Sequence, residues 1–140
     1  MEKQGIDWVR ISFADHVGFS KNLEHILDLI MRSWREIDQA LRPIIGRGGI
    51  EALFHRSLEI TAETYPWLAV ASTELRPVMN LAVLESVLSK QDIAHIGGAS
   101  DSLLSHFYCL LADLIGFSLT DRLLRPVLDP LLNGMATKDI

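Results

Sequence analysis

Seven large apolar residues, Leu23, Leu27, Ile30, Trp34, Ile37, Leu41 and Ile44, follow one another in alternating steps of four and three. Only a backbone with 3.6 residues per turn gathers such a series onto one stripe; a strand would scatter it over both faces. The spacing predicts a helix over residues 23–44, with Ser20 placed to cap its start and Asp28, Arg32 and Glu36 four apart on its solvent side. Ile26, Met31, Ala40 and Ile45 widen the stripe beyond a two-stranded coiled-coil seam, which points to burial in a globular bundle. Pro43 is compatible with the helix, whereas Gly46, Gly48 and Gly49 are expected to interrupt it.

The remaining segments read the same way. A second helix is predicted over 49–64 on Ile50, Leu53, Phe54, Leu58 and Thr61, stopped by Tyr65-Pro66 because a residue before proline avoids the helical region. After a connection with buried pieces over 67–76, Pro77 suits the first turn of a third helix carrying Leu81, Leu84, Val87 and Leu88. Ile96-Gly97-Gly98 is expected to divide the chain before a central helix over 100–115. That helix carries two apolar rows, Leu103, Phe107, Leu110, Leu114 and Leu104, Tyr108, Leu111, Ile115. Beside them, Ser105, Cys109, Ala112 and Gly116 form a row of small side chains that would let another helix approach closely. Thr120 is the predicted cap of a last helix bearing Leu123, Leu124, Val127 and Leu128, with Pro126 and Pro130 bending or ending it. No alternating strand pattern and no internal repeat is visible. The fold class expected is all-α, a compact antiparallel bundle of four to six helices. One domain over 20–133 would be preceded by a partly ordered extension over 1–19 and followed by a frayed tail over 134–140.

Composition narrows the partners. The 140 residues are 49% hydrophobic and 22% charged, which excludes a disordered chain and leaves apolar residues beyond what a small monomer needs inside. A net charge of −5 and a pI near 5.4 argue against nucleic acid as partner, since such domains carry a basic stripe. A single cysteine, Cys109, forms no internal disulfide. The longest apolar stretch, over 103–119, is short for a membrane span and holds His106 and Asp113. The first 19 residues lack the uninterrupted hydrophobic region of a secretory signal, so a cytoplasmic location is expected.

Three groups of side chains invite a chemical reading. Gly48 and Gly49, opening a helix with Arg42, Arg47 and Arg56 nearby, would make an anion site from backbone N–H groups and guanidinium groups. A turn whose glycines adopt positive φ explains the same residues. Glu51, His55 and Glu59, four apart, set two carboxylates and an imidazole along one helical face, as a polar site or as a solvated surface. His106, Cys109 and Asp113 could begin a zinc site only with a further ligand such as His95. A buried Cys109 packed as a small hydrophobe is the simpler reading.

No nucleophile elbow, P-loop ending or carboxylate-bridged metal spacing is present, so no enzyme activity, cofactor or metal is expected. Trp8, Trp34 and Trp67 fit core packing better than an apolar ligand pocket. The expected role is a non-catalytic helical interaction module, of the kind used in bacterial signalling or regulation. It would pack against another protein or form a homodimer. The alternative is a helical domain that binds a small anionic or apolar ligand.

Overall fold

A computed structural model describes residues 23–72 and 80–130. Its elements in chain order are α1 (Leu23–Thr61), a 3₁₀ helix η1 (Pro66–Ser72), α2 (Leu81–Leu88), α3 (Ile93–Ile115) and α4 (Phe117–Asp129). The described residues are mostly helical, without strands, and the four α-helices pack against one another. Ser20, Trp8, Pro77 and the tail after Asn133 lie outside the described residues.

The two helices predicted over 23–44 and 49–64 are the two arms of α1, and the expected glycine break between them falls at Gly46 alone, whose φ of 77° and ψ of 166° lie in a region open essentially to glycine. Pro43 stays within the first arm, and the chain turns three residues later. Of the seven heptad residues, Leu27, Ile30, Trp34, Ile37 and Leu41 are buried, while the outermost two, Leu23 and Ile44, are 37% and 45% exposed. Ile26, Leu29, Met31 and Ser33 are also buried, so around Trp34 the first arm is covered on most sides. Taken together, the two arms of α1 touch every other element, so α1 shares the central place that the sequence suggested for residues 100–115.

Trp34 is the hub of this core. Fully buried, it meets Phe54 of the second arm edge-on at 5.0 Å between ring centroids and Phe107 of α3 at 5.2 Å. Both are the T-shaped geometry that aromatic quadrupoles favour. The indole N–H has no hydrogen-bond partner among the described residues.

The ends of α1 and α2 follow local hydrogen bonding. α1 closes at Thr61, short of the expected residue 64, because the amides of Glu63 and Thr64 bond to carbonyls three residues back and tighten the last turn. Pro66 then opens η1, which carries Leu68 into the core within the segment expected to be a connection with buried pieces. α2 begins at Leu81, and its cap is Asn80, whose Oδ1 accepts from the Val83 amide at 3.1 Å.

Three expectations for the last two helices are corrected. Gly97-Gly98 does not divide the chain: α3 starts at Ile93 and runs through both glycines. A Cβ at Gly98 would stand 2.9 Å from the Tyr65 hydroxyl, so the missing side chain admits the end of η1's neighbour instead of breaking the helix. Cys109 is exposed, because the buried face of α3 is the side carrying Leu103, Leu104, Phe107, Tyr108, Leu111 and Ala112. Thr120 is not a cap. α4 starts at Phe117 after a second glycine bend, Gly116 with φ 92° and ψ 151°, and the buried Thr120 hydroxyl donates back to the Gly116 carbonyl at 2.7 Å. From there Thr120, Leu124 and Leu128, each four apart, form the inward stripe of α4. No helix among the described residues is long and apolar enough to cross a membrane.

Candidate functional site

The bend at Gly46 brings the end of the first arm of α1 against the start of the second and the first residue of α2. Between them lies an open cleft of about 80 Å³ lined by Arg35, Asp38, Arg42, Arg47, Glu51 and Leu81. Arg35, Asp38 and Arg42 share a face of the first arm through three- and four-residue spacings, and Arg47 and Glu51 share one of the second. Without the bend the two sets would lie on different faces of one rod.

Two of the three guanidinium groups are paired. Asp38 accepts from Arg42 Nε at 3.0 Å and from Nη2 at 2.8 Å, which raises the Arg42 pKa above its already high ordinary value. Arg47 Nε stands 3.5 Å from Glu51 Oε2, a looser pair. Arg35 makes neither a hydrogen bond nor an ion pair among the described residues.

Of the residues suggested as an anion site, the cleft thus takes in Arg42 and Arg47. Arg56 does not join them and reaches Glu59 at 3.3 Å. Gly49 packs a Cβ position 3.2 Å from Ile45, whereas Gly48 faces open space and nothing in the structure calls for glycine there. Arg35, Asp38 and Leu81 were missed. The i, i+3, i+7 spacing of Arg35, Asp38 and Arg42 was readable, but the approach of Leu81 from another helix was not.

Glu51, His55 and Glu59 do not converge. Glu51 turns to Arg47, while His55 Nδ1 lies 3.8 Å from Glu59 Oε2. Likewise His95 Nδ1 lies 3.6 Å from Asp92 Oδ2 and three helical turns from His106, about 16 Å at the rise of an α-helix. No group of three or more metal-ligating side chains occurs among the described residues.

His106 is tied to α1 instead. Its Nδ1 is 2.9 Å from Oγ1 of the buried Thr61, and that hydroxyl donates to the Ser57 carbonyl at 2.7 Å. Burial lowers the His106 pKa below the usual 6.5, with the charge of Glu63 acting more weakly in the opposite direction.

A separate feature lies at the α3–α4 bend. Leu114, Phe117 and Leu119, which are 60%, 45% and 37% exposed, straddle Gly116 within six positions, and Phe117 lies 6.4 Å from the Tyr108 ring. Comparison with known proteins gives no match to a family model, a curated protein or a solved structure.

Proposed function

We propose that the chain is a non-catalytic helical interaction module that docks on another protein, or on a second copy of itself, through the bend between α3 and α4. The observation that supports this reading is the exposure of Leu114, Phe117 and Leu119 within six positions about the Gly116 bend, the densest run of exposed large apolar side chains among the described residues. An apolar corner of this kind gains free energy only when another surface covers it, and a docking site rather than a reaction centre is what such a corner provides. A single bundle domain, antiparallel in its packing, cytoplasmic and acting in regulation as a homodimer, completes the reading. Its antiparallel element has a local support: Thr61 meets His106, while Tyr65, later in the chain, meets Gly98, earlier in α3.

Solution mass tests it. At high micromolar concentration the protein should sediment as a dimer, and Leu114→Asp with Phe117→Asp should return it to a monomer of unchanged helicity. A wild-type protein that stays monomeric, with a melting temperature untouched by the double substitution, would refute self-association through this corner.

A further inference from the structure

We infer that the cleft at the Gly46 bend is a binding site for a dianionic phosphoryl group, either free phosphate or a phosphomonoester. This stands on the arginine cleft and not on the apolar corner, so either proposal can fail without the other. Three guanidinium groups face two carboxylates there, and each carboxylate is engaged by one guanidinium: Asp38 by Arg42, Glu51 by Arg47. Arg35 is left as a cation in a concave site without a counter-charge from the described residues.

The donor inventory favours an oxyanion with several acceptor oxygens, and the three oxygens of a phosphoryl group supply the most. A guanidinium carries five N–H donors. Asp38 engages two nitrogens of Arg42, and Glu51 stands 3.5 Å from Nε of Arg47, which leaves donors of Arg47 and all those of Arg35 for an incoming ligand. Arginine suits paired recognition of carboxylate and phosphate oxygens, and a dianion answers two guanidinium groups where a carboxylate answers one. Asp38 also holds Arg42 in place before a ligand arrives, which reduces the ordering cost of binding. Size restricts the ligand further. About 80 Å³ holds a few waters or one phosphoryl group, far below the roughly 300 Å³ at which pockets for drug-sized ligands begin, so any larger substituent must extend into solvent.

The experiment uses the full chain and two probes, inorganic phosphate and phenyl phosphate, titrated against sodium chloride at matched ionic strength. Binding is read by calorimetry and by the rise in melting temperature. Phosphate or its ester should bind measurably, Arg35→Ala should weaken that binding about tenfold or more, and Arg122→Ala, an exposed arginine outside the cleft, should leave it unchanged. Tighter binding of phenyl phosphate assigns the site to a phosphomonoester, and tighter binding of inorganic phosphate assigns it to the free anion. The proposal is overturned if neither probe exceeds the chloride control. It is equally overturned if a folded Arg35→Ala protein, verified by its circular dichroism, binds as wild type does.

Discussion

Substituting alanine at Gly46 and, separately, at Gly48 should move stability in opposite directions, although the two positions are two residues apart. At Gly46 the backbone has φ 77° and ψ 166°, and nothing lies within 4 Å of the place a Cβ would occupy. Crowding is therefore not the obstacle; the backbone conformation is. An L-residue held in that region costs on the order of 1–3 kcal/mol, and relaxing the strain would require re-aiming one arm of α1, which detaches Phe54 from Trp34. Gly48 also faces open space, but its φ is ordinary and it lies inside the helix. Alanine there reduces the conformational freedom of the unfolded chain and favours the helix, a gain of roughly 0.5–1 kcal/mol. Urea unfolding followed by circular dichroism would measure both, with the midpoint falling for Gly46→Ala and rising for Gly48→Ala at constant slope. If Gly46→Ala is neutral or stabilising, the chain does not need the glycine conformation at that bend, and the account of how the cleft is assembled is wrong.

Three further outcomes follow from the core and its polar edge. Trp34→Ala should cost about 3–5 kcal/mol by emptying the space between Phe54 and Phe107, measurable as loss of the cooperative transition on heating. Thr61→Val should cost about 1–3 kcal/mol by equilibrium unfolding at pH 8, since it keeps the shape but leaves the Nδ1 of His106 without its partner on α1. Because the folded protein lowers the His106 pKa, the unfolded chain takes up the proton first as pH falls. Stability should be at its full value above about pH 6.5 and decline below it, and His106→Asn should remove that part of the slope in a series of melts between pH 8 and pH 5.

Much of the helical pattern was readable in the sequence because burial on one face leaves a periodic trace. The run from Leu27 to Leu41 illustrates it: five residues on one stripe, all buried. The departures share a cause, namely that glycine means different things in different surroundings. At Gly46 and Gly116 it supplies a backbone conformation, whereas at Gly98 it supplies room for Tyr65, and only the neighbour from elsewhere in the chain tells these apart. Cys109 and Thr120 were misplaced for a related reason. Residue type favours burial for a free cysteine and a cap for a threonine, but the side of α3 chosen by Phe107 and the start of α4 set by Gly116 decide both. Arg42 and Arg47 of the cleft were similarly visible as arginines near glycines, while Leu81 entered from a helix whose docking no local pattern encodes.

The hydroxyl of Thr61 carries one hydrogen but stands beside two groups, the Ser57 carbonyl and the imidazole of His106. With that hydrogen given to the carbonyl, the ring must be the donor at Nδ1, which fixes the neutral histidine as a single tautomer with its lone pair on Nε2. Acid then adds its proton at Nε2 and leaves the bond between the two helices intact. The response to pH at this place is a charge entering a partly dry site, not a broken tether, and nitrogen chemical shifts of the two ring atoms would distinguish the two directly.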